Sequence, residues 1–212
     1  MLPSDVVRAL SAILFILTYS SLTLFFPRAA RRSPRTVRAA RALSFSTGPL
    51  WESVQAILIF SLLAEAVLSD WVYGGPLTVS FPFDSVFQVV GMVLWLTGGA
   101  FSIWAMRTLG RFTRPEIEVV SDHRLVTEGP YRRVRHPLYT ALLMMGAGVA
   151  LFLLNALLAA LAVLSYAITR RRASMEEELL SSEDGFGLAY QRYMEGTGRF
   201  LPLLGRKARE GG

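Results

Sequence analysis

The sequence predicts an all-α integral membrane protein with about five transmembrane helices, a C-terminal helical hairpin among them, and short cytoplasmic helices. Three observations lead to this fold class: the chain is apolar, its apolar stretches have the length of a bilayer crossing, and its basic residues fall on alternate connections. Hydrophobic residues make up 52% of the 212 residues and charged residues only 18%, whereas soluble domains carry roughly 25% charge. This composition argues against a soluble enzyme and against a disordered chain.

Three apolar stretches match a single crossing, which takes about 20 residues. They are residues 6–26, 50–68 and 85–106. A fourth stretch, 138–168, runs for 31 residues without a charge, and at about 1.5 Å per residue it is longer than one crossing needs. Because basic residues flank both of its ends, this stretch is predicted to cross twice, as a hairpin that turns at Asn155.

The positions of the 22 Lys and Arg residues support this arrangement. Six lie in connection 27–48, seven in connection 107–135 and eight in the tail from residue 170, whereas connection 69–84 has none and the N-terminus has only Arg8. Five crossings put 21 of the 22 on one face, which the positive-inside rule assigns to the cytoplasm. We therefore expect the N-terminus outside and the C-terminus cytoplasmic, and we interpret the basic charge as topology and lipid contact, not nucleic-acid binding.

Residue counts also limit the chemistry. The chain has no cysteine and two histidines. Disulfides, thiolate zinc sites, iron–sulfur clusters and a cysteine nucleophile are thereby excluded, and no metal site is expected. Gly146-x-Gly148 lies inside an apolar span and is better explained by helix packing than by dinucleotide binding.

Polar side chains concentrate in two segments, 107–139 and 170–202, which the predicted topology brings to the same face. Gly129-Pro130 marks a turn in the first segment, and Pro137 suits the first turn of a helix. The second segment predicts the end of the last span, a turn near 184–185, and a short amphipathic helix that carries Tyr190 and Tyr193. The two segments are therefore expected to form one site.

Both segments carry motifs. The first contains His-x-Leu-Val-Thr-x-Gly-Pro-Tyr at 123–131 and Arg-His-Pro-x-Tyr at 135–139; the second contains Arg-x-x-x-Glu-Glu at 172–177, Phe-Gly-x-x-Tyr-x-x-Tyr at 186–193 and Arg-Phe-x-Pro at 199–202. In this order the motifs resemble the signature of the isoprenylcysteine carboxyl methyltransferase and phospholipid methyltransferase superfamily. The resemblance covers residues 109–202, whereas the first two spans match only as generic membrane helices.

The resemblance implies an integral-membrane methyltransferase that uses S-adenosylmethionine and acts on a lipophilic acceptor. Prenylcysteine-like carboxylates, phospholipid amines and thiols are all acceptors within the superfamily. It also implies a division into N-terminal transmembrane helices (1–106), a methyltransferase core with the cofactor pocket (107–204) and a polar, glycine-ended tail (205–212) that we expect to be disordered. Residues 180–185 look longer than the common spacing, so the cover over the cofactor is expected to differ.

Residue types at the motif positions suit this cofactor. Glu177, with Glu176, suits its ammonium group, and Arg135 or His136 its carboxylate. The full set expected to bind the cofactor is His123, Leu125, Gly129, Tyr131, Arg135, His136, Tyr139, Asn155, Glu176 and Glu177. The resemblance places a catalytic Arg172 near the acceptor, where a cation suits a carboxylate, and we expect Tyr190 and Tyr193 to bind the substrate.

Several positions leave alternatives open. Asn155 fits a helix cap as well as a cofactor contact, the two tyrosines fit an aromatic belt, and Glu178 fits a solvated acidic face. Glu65 lies within the second span, where an acid needs a partner, and no motif claims it. For the whole chain, the alternatives are a non-catalytic membrane protein that binds anionic lipid or a partner, and a reductase related to membrane sterol reductases.

Overall fold

The computed structural model describes residues 1–25, 38–68, 72–110, 125–183 and 185–203. These residues form six α-helices: α1 (Ser4–Phe25), α2 (Arg38–Leu68), α3 (Asp84–Leu109), α4 (Pro137–Leu153), α5 (Ala156–Ser181) and α6 (Leu188–Gly196). A single turn of 3-10 helix at Gly129–Arg132 precedes α4. Within the described residues the β-structure amounts to isolated bridges, which confirms the all-α class. The tail predicted at 205–212 lies outside the described residues.

Two helical segments are long and apolar enough to cross a membrane by length and composition, Pro49–Leu68 within α2 and Asp84–Leu109, which is α3. Helix α4 is apolar but shorter. Helix α1 occupies the first predicted span with 22 residues. The helix positions therefore follow the predicted apolar stretches.

The predicted hairpin is present. Helices α4 and α5 meet at Leu154, which adopts the left-handed conformation with φ 48°, and at Asn155. The Asn155 side chain caps α5 by accepting hydrogen bonds from the amides of Leu157 (3.0 Å) and Leu158 (3.2 Å). Helix α5 continues to Ser181, well beyond residue 168 where the apolar stretch ends, and so it carries the polar motif Arg172 to Glu177 on a rigid element.

One boundary prediction is wrong. Residues 27–48 were expected to form a connection, yet α2 begins at Arg38 and runs through Pro49. Alanine, arginine and leucine dominate residues 38–43, and these residue types have the highest helix propensities. Hydropathy alone could not show this because the added turns are polar.

Helices α3 and α4 pack at very short range through small residues. A Cβ atom built on Gly148 would lie 2.6 Å from the carbonyl oxygen of Gly91, and one built on Gly98 would lie 2.9 Å from the carbonyl oxygen of Ala141. Close backbone approach through glycine is typical of helix pairs in membranes. Gly148 therefore has the packing role that the sequence predicted.

One end of the bundle, here called the loop end, gathers the chain start, the connection 72–83 and the α4–α5 turn. Three hydrogen bonds to backbone carbonyl groups hold these segments together. The Asn155 side-chain amide donates to the carbonyl of Val72 (2.8 Å), and the backbone amide of Ala156 donates to the carbonyl of Leu77 (2.8 Å). The Tyr73 hydroxyl donates to the carbonyl of Leu2 (2.7 Å). The opposite end, here called the site end, contains the 3-10 helix, the start of α4, the end of α5, and α6. The hairpin thus returns the chain to the site end.

Glu65 belongs to the loop end. Its side chain is fully buried, and one carboxylate oxygen accepts hydrogen bonds from the amides of Tyr73 (2.8 Å) and Val72 (3.3 Å). The acid that the motifs did not explain therefore ties the connection 72–83 to α2.

Candidate cofactor and acceptor site

Glu177 is the centre of the site end. Glu177 is only 5% exposed. Its carboxylate accepts a hydrogen bond from the Arg135 Nε at 2.8 Å. The His136 Nε2 lies 3.2 Å from the same oxygen. Arg199 donates to both carboxylate oxygens, through Nε at 3.2 Å and through a second guanidinium nitrogen. One buried carboxylate on α5 thus holds the neighbours Arg135 and His136, which precede α4, together with Arg199, which follows α6.

Backbone pairing explains why Arg199 reaches this position. Three bonds join backbone amides to backbone carbonyls. The Arg135 amide donates to the carbonyl of Gly198 (2.8 Å) and the His136 amide to the carbonyl of Arg199 (3.1 Å). In the other direction, the Gly198 amide donates to the carbonyl of Arg133 (3.1 Å). The Thr140 hydroxyl adds a bond to the Phe200 carbonyl (2.9 Å). The segment after α6 is therefore fastened along the entry to α4.

The Arg135 side chain also supports the C-terminal segment. Its guanidinium donates to the Met194 carbonyl at 3.1 Å and to the Thr197 carbonyl. Arg135 therefore connects Glu177 on α5 with the end of α6. A change at Arg135 would disturb both the charge of the site and its closure.

The pKa of Glu177 reflects these partners. Burial opposes ionisation, but the hydrogen bonds from His136, Arg199 and Arg135 outweigh it and lower the pKa of Glu177 to about 2. Glu177 is therefore ionised at neutral pH. With two guanidinium groups on one carboxylate, the immediate cluster carries an excess of positive charge.

Glu176 and Tyr139 extend the cluster towards α4. The His136 Nδ1 lies 3.6 Å from a Glu176 carboxylate oxygen, and the His136 ring stacks on Tyr139 with ring centres 5.4 Å apart. The Tyr139 side chain interacts with both Glu176 and Arg172. Tyr139 thus links the Glu177 cluster to Arg172.

Arg172 is the most enclosed cation of the described residues, at 1% exposed. Its guanidinium carbon lies 4.8 Å from the ring centre of Trp51 on α2. The Trp51 ring meets Tyr139 edge-on at 5.9 Å, and its Nε1 donates to the Thr169 hydroxyl at 3.0 Å. A buried arginine is costly unless aromatic and polar groups surround it, as these do here.

The two tyrosines of α6 lie on the side that faces the 3-10 helix. The Tyr193 hydroxyl donates to the Tyr131 carbonyl at 2.5 Å, and the Tyr190 ring packs edge-on against Tyr193 at 5.7 Å. Tyr190 is only 2% exposed, which does not fit an exposed aromatic belt. Burial raises the pKa of Tyr131 and of Tyr190, so both remain neutral.

Gly129 and Leu125 lie at the entry to the site. Gly129 has φ +56°, and a Cβ there would lie 2.7 Å from the Thr108 hydroxyl on α3, so glycine lets the 3-10 helix sit against α3. Leu125 is partly buried at the start of its described segment. His123, the remaining motif residue, lies outside the described residues.

Asn155 does not join this site, which corrects its place among the expected cofactor contacts. It caps α5 at the loop end, and the 22 residues up to Glu177, at about 1.5 Å per residue, amount to roughly 33 Å. Of the two roles that the sequence left open, the structure supports the helix cap.

An apolar cleft begins one helical turn inward from Trp51 and Tyr139. It is narrow and partly open, with a volume of about 10 Å³, which is room for about one water molecule. Gln55 follows Trp51 on α2 by four residues, and Leu142 follows Tyr139 on α4 by three, so both lie on the same helix faces as the site residues. The cleft is lined by Gln55, Leu58, Ile59, Trp95, Leu142, Met145, Gly146 and Val149.

Sequence reasoning missed Trp51 and gave no role to Arg199. Arg199 stands in the last quoted motif, so its place there was the available signal. Trp51 follows Pro49 at the predicted cytoplasmic boundary of the second span, where a tryptophan reads as an interfacial anchor. Its position beside α5 depends on helix packing that no motif records.

Comparison with known families supports the motif analysis. Residues 89–182 match the model of the isoprenylcysteine carboxyl methyltransferase (ICMT) family. A probable protein-S-isoprenylcysteine O-methyltransferase of Oryza sativa subsp. indica is 31% identical over 118 residues, which are 54% of this chain and 61% of the relative. Protein-S-isoprenylcysteine O-methyltransferase A of Arabidopsis thaliana is 32% identical over 117 residues, 54% of this chain and 58% of the relative.

A solved structure has a similar fold. It is that of the eukaryotic intramembrane Ras methyltransferase ICMT without a monobody, with a TM-score of 0.50 and 22% sequence identity, over 79% of this chain and 55% of that chain. The chain spans about three fifths of the length of the curated relatives it matches. The matched region, residues 89–182, holds the Arg-His-Pro motif, Arg172 and Glu177, and over this region the chain is similar to the isoprenylcysteine carboxyl methyltransferase family, as the motifs predicted.

Proposed function

We propose that this chain is an integral-membrane methyltransferase that uses S-adenosylmethionine to methylate a carboxylate on a lipophilic, prenylcysteine-like acceptor. The observation that carries this proposal is Arg172, a buried cation between the Glu177 cluster and the apolar cleft. A lipophilic acceptor with an anionic end needs such a junction of charge and apolar surface. The rice and Arabidopsis relatives are named protein-S-isoprenylcysteine O-methyltransferases, which fits such an acceptor.

The residues at the site end fit the cofactor. When bound, S-adenosylmethionine supplies a methyl group activated on a sulfonium. Glu177 and Glu176 offer carboxylates to its ammonium group, and the excess positive charge of Arg135 and Arg199 suits its carboxylate. Buried neutral tyrosines, Tyr131 and Tyr190, provide aromatic surface nearby.

The acceptor chemistry explains why the site needs no strong base. A carboxylate oxygen is already a nucleophile at neutral pH, whereas an amine must first lose a proton. Rate acceleration then depends on holding the acceptor oxygen in line with the bond between the methyl group and the sulfonium sulfur, and positioning alone can supply this. Arg172 is the group that would orient the acceptor carboxylate, and the apolar faces of α2 and α4 beyond Trp51 and Tyr139 would border its apolar chain.

The membrane topology is part of the proposal. Five crossings, with the N-terminus outside, put the loop end on the outer face and the site end in the cytoplasm. Support comes from the hairpin, which returns the chain to the site end, and from connection 69–84, which has no basic residue. A reporter fused after residue 212 should behave as cytoplasmic and one inserted at residues 74–75 as external; the reverse result would contradict the topology.

The decisive experiment compares two arginines. Arg172→Ala should nearly abolish methyl transfer and leave S-adenosylmethionine affinity within a few-fold, because its contact is with the acceptor. Arg135→Ala should lose both, because Arg135 holds Glu177 and the C-terminal segment. A residue that contacts only the acceptor or the transition state can be removed with loss of rate and without loss of cofactor affinity. The measurements are radiolabelled methyl transfer to N-acetyl-S-farnesylcysteine and equilibrium cofactor binding, on folded protein in detergent.

The outcomes separate the alternatives. Wild-type chain that binds no S-adenosylmethionine would contradict the enzyme class and favour a membrane protein that binds anionic lipid or a partner, or a nicotinamide reductase. Binding with transfer only to phosphatidylethanolamine or to a thiol would keep the class and replace the acceptor. Equal loss of cofactor affinity in Arg172→Ala and Arg135→Ala would contradict the division of roles.

A further inference from the structure

Trp51 lies where the N-terminal half of the chain touches the site. It belongs to α2, outside the region 89–182 that matches the family model. Its indole Nε1 donates to the Thr169 hydroxyl at 3.0 Å, and the Arg172 guanidinium carbon lies 4.8 Å from its ring centre. The motif-bearing region therefore does not enclose Arg172 by itself.

The spacing of these partners determines the orientation of the indole. Thr169 and Arg172 are three residues apart on α5, so their side chains leave the same face of the helix. The hydrogen bond to Thr169 fixes one edge of the indole, and this keeps the ring face over the guanidinium. Tyr139 then meets the ring edge-on at 5.9 Å.

A guanidinium held in this way has a defined direction. A free arginine side chain has large rotamer entropy, and a buried one is attracted to an aromatic face. The Trp51 ring occupies one side of the guanidinium, so an anion has to approach Arg172 from another side. The edge of the guanidinium, not its face, is the part that binds a carboxylate in bidentate geometry.

We propose that Trp51 is a positioning residue that orients Arg172 towards the carboxylate of the acceptor, so that α2 contributes to acceptor selection. This inference rests on the proposed function. Trp51 does not touch the reacting atoms; it acts through Arg172. The neighbouring Gln55, one turn further along α2, lines the apolar cleft, and α2 thus borders both ends of the expected acceptor.

The experiment uses the full chain in detergent with N-acetyl-S-farnesylcysteine as the methyl acceptor. Trp51→Leu removes the ring face, Trp51→Phe keeps a face but loses the N–H, and Thr169→Val removes the hydrogen-bond acceptor at nearly constant volume. Phe152→Leu is the control for lost packing. Phe152 is a buried aromatic residue near the end of α4, at the loop end and away from the site. For each variant the readouts are kcat, acceptor KM, S-adenosylmethionine affinity and thermal unfolding.

A further readout reports on the carboxylate directly. Binding of N-acetyl-S-farnesylcysteine is compared with binding of its carboxamide, which has the same apolar chain and no charge. Wild-type protein should prefer the carboxylate. A merely structural role for Trp51 would weaken both probes alike and leave their ratio unchanged.

Trp51→Leu should lower kcat over acceptor KM by about tenfold and reduce the preference for carboxylate over carboxamide, with cofactor affinity within about twofold. Trp51→Phe should recover most of the loss, and Thr169→Val should cost about two- to fivefold because only the ring orientation loosens. Phe152→Leu should lower the unfolding temperature and keep the carboxylate preference of the folded protein.

The inference is wrong if Trp51→Leu keeps the wild-type carboxylate preference, or if it loses cofactor affinity as strongly as acceptor affinity. Should Trp51→Leu not fold, Thr169→Val takes its place in this test, and an unchanged carboxylate preference in Thr169→Val would overturn the inference equally. The proposed function fails separately: wild-type protein that transfers no methyl group to any acceptor removes the function and this inference together, whereas active wild-type protein with unaffected variants removes only the inference.

Discussion

The two ends of the helical bundle use polar side chains in different ways. At the loop end, Asn155, Tyr73 and Glu65 each bond to main-chain groups of a neighbouring segment. At the site end, Glu177 bonds to charged side chains, Arg135 and Arg199, and the cluster keeps more positive charge than one carboxylate neutralises. The first arrangement holds the fold, and the second leaves charge available to bind an anion.

This comparison predicts that changes at the site end alter binding and that changes at the loop end alter stability. The strongest single test is at Glu177. Glu177→Gln should weaken S-adenosylmethionine binding by about 1.5–3 kcal/mol, because a charge-assisted hydrogen bond is lost at a buried position. Isothermal calorimetry measures the change.

The matched control for this test is the exposed neighbour Glu178. Glu178→Gln should leave cofactor affinity close to that of the wild type, because the Glu178 side chain is exposed and does not take part in the Glu177 cluster. Equal losses at the two positions would mean that the effect comes from overall charge, and the assignment of Glu177 would be wrong.

The same carboxylate should make the stability of the folded chain depend on pH in the acid range. The pKa of Glu177 is lowered from 4.5 to about 2 in the folded chain, so its ionised form stabilises the fold. This stabilisation is complete above about pH 4.5 and is lost as the pH falls towards 2. In Glu177→Gln the unfolding temperature should fall less steeply over that range than in wild type, whereas Glu178→Gln should follow wild type. Parallel curves for all three proteins would contradict the shift.

A change at Glu65 tests the loop end. Glu65→Leu should destabilise the fold by about 1–3 kcal/mol, because the buried amide of Tyr73 and the amide of Val72 lose their acceptor. Cofactor affinity per folded molecule should not change. Glu65→Gln is the matched control: it keeps an acceptor oxygen and should cost less. Cofactor affinity that falls with Glu65→Leu would show that the two ends are coupled.

The smallest expected effect is at the hairpin turn. Asn155→Ala removes the cap of α5 and should cost about 0.5–2 kcal/mol of stability, measured by thermal unfolding, with cofactor binding unchanged. Asn155→Asp keeps the capping oxygen but cannot donate to the Val72 carbonyl, so it separates the two contributions. Lower cofactor affinity in Asn155→Ala would return this residue to the cofactor set.

Apolar length and the motifs already determined much of this protein. A run of 31 uncharged residues with a polar residue inside it is too long for one helix across a bilayer, which is why the hairpin and its turn at Asn155 could be predicted. The Arg135-His136 and Glu176-Glu177 pairs could be grouped because basic residues mark one face of the topology. The polar helical turns that begin α2 at Arg38 could not be predicted. Hydropathy indicates burial in apolar surroundings and does not indicate helix formation.

Tertiary structure alone decided which groups meet. Glu177 was expected to meet a cofactor ammonium, and its partner Arg199 reaches it only because the segment after α6 pairs with the entry to α4. Trp51 carries no motif, and its place over Arg172 follows from how α2 packs on α5. The sequence by itself determined residue types and the face of the bundle on which they lie, since both follow from local pattern and charge. Contacts between distant segments depend on packing, and packing is a property of the whole fold.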